Sequence, residues 1–158
     1  GSEMCIRDSS TVVKTKSATG SNVGGFIGEI VAGTVLIEDS YNAAKVTNTG
    51  ATSPDKVGGI CGKVAEGASF TITRCYVSAS VTLTKSTSDA AVADAILASG
   101  SAVVTDTYFD KAAKRTTTGA IKFASDAWPT WPVDAAWGSI GAYGEGGAIV
   151  YPKLSWEQ

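Results

Sequence analysis

The chain has no histidine among its 158 residues. Histidine is the usual base of serine and cysteine hydrolases and the commonest protein ligand of transition metals, so these kinds of site are not expected. Only 18% of the residues are charged, and the net charge is −2 with both signs interspersed. No strong field attracts nucleic acid or an anionic membrane surface, so no nucleic-acid partner is predicted. No cofactor is predicted either.

Long apolar runs and paired cysteines are also missing. No run reaches the roughly 18 residues that a membrane-spanning helix requires, so no membrane insertion of this segment is predicted. The three cysteines are odd in number and lack CxxC spacing, which argues against a disulfide framework and against a zinc site. Cys61 and Cys75 are therefore expected to be small buried hydrophobic residues.

What the chain does have is a repeated pattern rich in glycine and in small or β-branched residues. Val23–Gly28 (VGGFIG) matches Val57–Gly62 (VGGICG) position by position. Asp39-Ser40-Tyr41 matches Arg74-Cys75-Tyr76 at nearly the same offset, with one extra residue in the loop between the two halves. An internal repeat with a period of about 34 residues indicates a stacked architecture.

A third, degraded unit is predicted from Ala90 to Tyr108. Both ends of this unit lie at the same offset from the second unit, and that offset is slightly shorter than the one between the first two units. Its opening run, residues 90–94, has alanine and aspartate in place of the glycines, as terminal repeats often do. The alanine-rich stretch 89–98 is compatible with a helix or a strand, and we predict a strand. A half-unit before the first, at residues 8–10 and 12–15, would give roughly three coils.

Equivalent side chains should form ladders, because parallel strands of adjacent coils lie about 4.8 Å apart. The predicted ladders are Tyr41, Tyr76 and Tyr108; Ser40, Cys75 and Thr107; and Asp39, Arg74 and Asp106. The last ladder alternates in charge, which places opposite signs on neighbouring coils. The paired glycines are expected at turns or at close backbone approaches that a Cβ would block; they are Gly25 with Gly59 and Gly28 with Gly62.

The predicted fold is all-β, a right-handed parallel β-helix (a β-solenoid) of about three coils with an irregular Trp-rich C-terminal cap. The coils are assigned to residues 10–110, as 22–49, 56–84 and 89–110, and the cap to residues 111–158. Residues 1–9 are interpreted as a cloning scar followed by a non-native leader, because residues 4–9 resemble translated adapter DNA. Asp8-Ser9 also fits the repeat, so both interpretations of that dipeptide stay open.

All four tryptophans lie near the C-terminus, at Trp128 or later in the chain. Open solenoid ends expose strand edges that promote aggregation, so this segment is predicted to form a lid over the final coil. The alternative is an aromatic platform for a sugar ligand, formed by Trp128 and Trp131.

At these motifs the chain resembles the GLUG-motif proteins, whose repeats combine a Gly-Gly-Leu-Val-Gly run with a Cys-Tyr strand. Gly24–Gly28 and Gly58–Gly62 carry the first motif, and Ser40–Asn42 and Cys75-Tyr76 carry the second. The end of the chain resembles the family's terminal segment at four places: Thr107–Lys111, Thr116–Gly119, Trp137 and Tyr151–Trp156. The resemblance covers residues 22–156, and the third unit departs from the glycine pattern.

The resemblance implies a bacterial β-solenoid that is extracellular or on the cell surface. It implies an accessory adhesion or spacer module with flanking domains of a longer chain, and no catalytic residues. The partner implied is a host or matrix protein, or a glycan.

Two other functions, polysaccharide cleavage and ice binding, and a metal site compete with the adhesion or spacer role. Asp39 and Asp106, two coils apart, fit the carboxylate separation of inverting glycosidases, but Arg74 between them would favour ionisation of both. Asp106 and Asp110 are close in sequence, but the nonapeptide calcium repeat is absent, so no metal is predicted. Residues 47–49 and 82–84 align as Thr-x-Thr rows, the pattern of ice-binding solenoids.

Overall fold

The computed structural model describes residues 21–48, 55–83 and 92–157, together with the backbone of one short strand, β1 (Val13–Thr15). These parts of the chain form strands and two short 3₁₀ helices, with no α-helix among them. The sheets are mostly parallel. The all-β prediction is confirmed.

Three consecutive parts of the chain carry corresponding strands, and we call residues 21–48, 55–83 and 92–110 the first, second and third segments. The first segment contains β2 (Asn22–Gly24), β3 (Ile27–Ile30), β4 (Thr34–Asn42) and β5 (Val46–Asn48). The second contains β6 (Lys56–Gly58), β7 (Cys61–Val64), β8 (Ser69–Val77) and β9 (Val81–Leu83). The third contains β10 (Val92–Asp94), β11 (Leu97–Ser99), β12 (Val103–Thr105) and β13 (Thr107–Phe109). The alanine-rich stretch thus forms strands in its described part, as predicted.

Three of the four strands of the second segment lie between strands of the first and the third, and all these pairs are parallel. β6 pairs with β2 and β10, β7 pairs with β3 and β11, and β8 pairs with β4, β12 and β13. β5 pairs with β9 on one side and with β1 on the other. In this register Val23 lies beside Val57 and Tyr41 beside Tyr76, the partners expected from the repeat.

The predicted register of the third segment is wrong in its first half. Asp94 pairs with Gly58, whereas the sequence pattern placed Ala90 there. In the second half Tyr108 pairs with Tyr76, as predicted.

The register changes because the turn at Gly100 is four residues shorter than its counterpart in the second segment. Ser99 pairs with Lys63 before the turn, and Val103 pairs with Thr71 after it. Gly100 has a φ of +91°, and a Cβ on it would lie 2.3 Å from the carbonyl oxygen of Val64. Glycine therefore allows this tighter turn.

The glycines of the two VGG motifs mark places where backbones approach closely, one of the two expected roles. A Cβ on Gly59 would lie 1.9 Å from the carbonyl oxygen of Ala95, and one on Gly25 would lie 2.3 Å from that of Gly59. The corresponding distances are 2.9 Å for Gly28 and 2.5 Å for Gly62, again to backbone atoms. None of these four glycines has a positive φ, so close approach rather than backbone conformation requires them.

The core lies between the sheets and is built from inward-facing side chains of all three segments. Its fully buried members are Ile37, Ile60, Cys61, Ile72, Cys75, Ala95 and Ile96. Burying an isoleucine side chain stabilises a fold by roughly 1.5–3 kcal/mol. The prediction that Cys61 and Cys75 are buried is confirmed.

A left-handed residue bends the chain at the same place in each segment. Asp39, Arg74 and Asp106 have φ angles of 48°, 47° and 45°, and among the described residues other than glycine only these three have a positive φ. The bend breaks the alternation of strand side chains, so that Ile37 and Ser40 are both fully buried. This conformation costs roughly 1–2 kcal/mol for an ordinary L-residue and less for aspartate.

The rest of the chain forms a parallel strand and then an antiparallel region. It contains β14 (Ala120–Lys122), β15 (Trp137–Ser139), β16 (Ala142–Tyr143), β17 (Ile149–Val150), β18 (Lys153–Leu154) and the 3₁₀ helices Glu145–Gly147 and Ser155–Glu157. β14 pairs in parallel with β13, whereas β15 pairs antiparallel with β18 and β16 with β17.

Residues 113–122 cover the third segment. The buried carboxylate of Asp94 accepts hydrogen bonds from the backbone N–H of Thr117 at 3.1 Å and from its hydroxyl at 2.5 Å. Residues 123–157, which we call the tail, instead pack against the side of all three segments. The residues that cover the third segment contain no tryptophan, and the tryptophans of the predicted lid lie in the tail instead.

Candidate functional site

The tail packs against the row formed by Tyr41, Tyr76 and Tyr108. These tyrosines form one buried cluster with Phe123, Trp131, Trp137 and Leu154 of the tail. The rings of Tyr41 and Tyr76 are 4.8 Å apart and parallel to within 3°. The ring of Tyr108 lies 5.2 Å from that of Phe123. Such ring pairs add about 0.5–1.5 kcal/mol each beyond the area they bury.

Hydrogen bonds tie the tail to each segment in turn. In the first segment the Tyr41 hydroxyl donates to Glu157 Oε1. In the second, the Tyr76 hydroxyl donates to the carbonyl oxygen of Pro152 at 2.9 Å. In the third, Asp110 Oδ2 accepts from the Tyr151 hydroxyl at 2.6 Å. The tail therefore runs back across the whole set of segments.

The carboxylate of Asp39 joins the first segment, the second segment and the tail. Arg74 Nε donates to Asp39 Oδ1 at 2.6 Å and Arg74 Nη2 donates to Oδ2 at 2.5 Å. The fully buried Trp137 donates to Oδ1 from its indole nitrogen at 2.8 Å. The hydrogen bond to Asp39 is the main reason that the pKa of Arg74 is raised above its ordinary value.

The third member of the predicted charge ladder lies apart from this group. Asp106 is exposed, and within the described residues it forms no ion pair with Arg74. The expected alternation therefore yields one ion pair rather than two. Because both oxygens of Asp39 already accept hydrogen bonds, this arrangement gives no support to Asp39 and Asp106 as a glycosidase pair.

The ladder of Ser40, Cys75 and Thr107 has a shared local role that the sequence pattern did not reveal. Each side chain is fully buried and bonds to the carbonyl oxygen two residues earlier, at 2.7, 3.2 and 2.9 Å respectively. These bonds span the left-handed bend. Burial raises the pKa of the Cys75 thiol to about 12, and burial likewise raises that of Cys61 to about 12, so neither is an activated nucleophile.

Trp128 and Trp131 do not form the predicted sugar platform. Trp131 is only 5% exposed, and its ring lies 4.6 Å from that of Trp137. Trp128 is half-buried, and its indole nitrogen donates to the carbonyl oxygen of Ile140 at 2.9 Å. A ring as buried as that of Trp131 cannot offer its face to a sugar, so the two tryptophans do not form a platform together.

The predicted threonine rows are only partly described. Thr47 pairs with Thr82, and their hydroxyl oxygens are 3.1 Å apart, whereas Thr49 and Thr84 lie outside the described residues. Thr47 is only 6% exposed. An ice-binding face has to present its hydroxyls to water, so the burial of Thr47 does not favour that function.

A cleft of about 420 Å³ opens where the tail meets the tyrosine row. Tyr41, Ala43, Tyr76 and Ser78 form one side, and Val150, Tyr151, Pro152, Lys153 and Glu157 form the other. The ring of Tyr151 lies 5.7 Å from that of Tyr76 and is parallel to it within 9°. This cleft could not be predicted from the sequence, because its two sides come together only when the tail folds back.

The described ranges hold neither a cluster of metal ligands nor a membrane-spanning helix. Within residues 21–48, 55–83 and 92–157 no three side chains of the metal-binding types are grouped to hold an ion. Asp110 instead bonds to Tyr151 and pairs with Lys111 at 2.9 Å. In the same ranges no helix is long and apolar enough to cross a membrane.

Comparison with known proteins gave no relatives: no family model, no curated protein and no solved structure matches the chain significantly. Function therefore has to be inferred from the sequence motifs and from the described geometry. Within that geometry, the cleft and the tyrosine row beside it are the best candidate for a functional site.

Proposed function

We propose that the chain is a non-enzymatic adhesion module of a bacterial cell-surface or secreted protein, folded as a right-handed parallel β-solenoid of about three coils. The observation that carries the proposal is the register of Tyr41, Tyr76 and Tyr108. These residues come from three successive segments and lie side by side in one parallel sheet. The resemblance of the glycine and tyrosine motifs to the GLUG-motif proteins supports the same conclusion.

The solenoid is favoured by the way the parallel sheets are connected. Strands that are neighbours in each sheet belong to successive segments, and the chain between them includes strands of the other sheets. Each return to the same sheet is therefore a crossover connection, and such connections between parallel strands are almost always right-handed. Repeating the crossover with a similar period winds the chain into successive coils.

The adhesive role is supported by what the polar side chains do. Arg74 and Asp39 join two coils, and Lys63 joins them again through an ion pair of 2.8 Å with Glu29. The tail then fixes the flank of the stack through Tyr41 and Tyr76. A stack braced in this way is a rigid support on which a binding surface is held in place.

The adhesive role is tested by displaying the chain on bacteria that do not otherwise adhere. The expected result is increased retention on at least one surface coated with matrix protein or glycan, relative to cells that display the anchor alone. The purified chain is also incubated with a panel of polysaccharides, and new reducing ends are measured. Retention equal to that of the anchor-only cells on every surface contradicts adhesion. Reducing ends that disappear in a folded Asp39→Asn variant contradict the non-enzymatic assignment.

A further inference from the structure

The cleft between the tyrosine row and the tail has the size and the preformed walls of a small-ligand site. Its volume of about 420 Å³ lies within the usual range of roughly 300–1,000 Å³ for such sites. Tyr41 and Tyr76 on one side and Glu157 and Pro152 on the other are joined by hydrogen bonds. Glu157 Oε2 also accepts from the backbone N–H of Leu154 at 2.7 Å. A ligand would therefore meet walls that are already ordered.

The chemistry of the lining is aromatic with a balanced polar rim. Three tyrosines contribute, of which Tyr76 is parallel to both of the others within 9°. The rim carries the exposed cation Lys153, the half-buried carboxylate Glu157 and the half-buried hydroxyl of Ser78. One positive and one negative charge favour neither an anionic nor a cationic ligand.

We propose that this cleft is a carbohydrate-binding site that takes a neutral saccharide of one or two sugar units. A neutral sugar offers hydroxyl groups that donate and accept hydrogen bonds, which suits the ammonium of Lys153 and the hydroxyl of Ser78, whereas both oxygens of Glu157 already accept hydrogen bonds from Tyr41 and Leu154. The C–H groups of the sugar suit the side chain of Val150, which is 58% exposed, whereas the buried rings of Tyr41 and Tyr76 hold the wall of the cleft in place. The inference rests on the proposed adhesion role and names the ligand class and the site through which adhesion occurs.

The test starts with a glycan array probed with the full chain, followed by titration calorimetry with the sugars that bind. Val150→Arg places a bulky side chain at the mouth of the cleft, and Lys153→Ala removes one rim donor. Each has a matched control on an exposed strand position outside the cleft: Val103→Arg, where the valine is 64% exposed, and Lys122→Ala. All four positions are exposed, so the variants are expected to fold, and far-ultraviolet circular dichroism checks this.

The expected result is saturable binding of a neutral glycan that weakens at least tenfold in Val150→Arg and about fivefold in Lys153→Ala, with both controls unchanged. Absence of glycan binding by the unmodified chain overturns the inference, as does binding that persists in a folded Val150→Arg variant. If the unmodified chain instead binds peptides and the Val150→Arg variant does not, the ligand class is wrong. If cells displaying the Val150→Arg variant adhere as well as cells displaying the unmodified chain, the cleft is not the adhesive site and the adhesion role stands. If no displayed form adheres, the adhesion role itself fails.

Discussion

Arg74 grips the carboxylate of Asp39 through two hydrogen bonds, while both residues hold a left-handed backbone conformation. The same carboxylate accepts the indole N–H of Trp137, from a distant part of the sequence. One side chain thus connects two neighbouring strands of a parallel sheet with the tail that crosses them. Its contribution to stability can be separated from the backbone conformation because Asp106 shares that conformation without the contacts.

Replacing Asp39 with alanine is expected to lower the free energy of unfolding by about 2–3 kcal/mol. Most of the loss comes from leaving the buried indole N–H of Trp137 without an acceptor, because a partly exposed ion pair contributes little by itself. Asp106→Ala is the matched control and should lose no more than about 1 kcal/mol, the difference in cost between alanine and aspartate at a left-handed position. Urea denaturation measures both. Equal losses would show that the backbone conformation, not the contacts, determines the effect.

Gly59→Ala is expected to destabilise the protein by about 3 kcal/mol, since the new Cβ would lie 1.9 Å from the carbonyl oxygen of Ala95. That oxygen belongs to the backbone of the neighbouring segment, so relief requires the two segments to separate. The control is Gly144→Ala, where the nearest atom would be 3.3 Å away and the loss should stay below about 1 kcal/mol. Thermal unfolding followed by circular dichroism compares them. A tolerated Gly59→Ala would contradict the close approach.

The tail and the first segment are expected to be energetically coupled through Tyr41 and Glu157. In a double-mutant cycle, Tyr41→Phe and Glu157→Gln should show a coupling of about 1 kcal/mol, because the first removes the hydrogen bond and the second removes the charge that strengthens it. The same cycle with Tyr143→Phe in place of Tyr41→Phe should show additivity. Chemical denaturation of the four proteins gives the coupling. Additive losses for Tyr41 and Glu157 would show that the tail does not hold the first segment through this bond.

Stability is expected to fall as the pH rises from about 8.5 towards 12. Burial raises the pKa of Cys61 and of Cys75 to about 12, whereas a thiol in the unfolded chain ionises near 8.5. In that window the unfolded state has lost protons that the folded state keeps. Each thiol therefore lowers the free energy of unfolding by up to about 1.4 kcal/mol per pH unit.

The check on this prediction is urea denaturation between pH 8 and 11, compared with a Cys61→Ala/Cys75→Ala variant. The variant is less stable at neutral pH but should lose stability more gradually as the pH rises. Burial also raises the pKa of Tyr108 and Tyr151, and those groups remain in the variant, so a residual decline above about pH 10 is expected. Parallel curves for the two proteins would exclude the thiols as the cause.

The pairing of the first two segments could be predicted because the residues that define it are conspicuous. Gly59 repeats Gly25 because the backbones of neighbouring segments approach closely there, and Tyr76 repeats Tyr41 because the two rings stack. The third segment lacks the glycines, so its first half gave no local marker of register. The shorter turn at Gly100 therefore could not be predicted.

The path of the tail could not be predicted, since nothing local in its sequence specifies which surface it covers. Tryptophans are used both in cores and in sugar sites, and only the folded chain distinguishes the burial of Trp131 from a platform. The cleft depends on the same long-range contact. Its two sides, at Tyr76 and at Tyr151, are far apart in sequence and meet only in the folded chain.

The path of the tail also limits how many rows of strands can lie beneath it. Between Tyr151, which bonds to Asp110 of the third segment, and Glu157, which bonds to Tyr41 of the first, the tail spans three rows of strands. An extra unit inserted between the first and second segments would move Tyr41 and Asp39 outward by one strand spacing, about 4.8 Å, beyond hydrogen-bonding reach of their partners. The contacts of the tail therefore fix the number of rows between Tyr41 and Asp110.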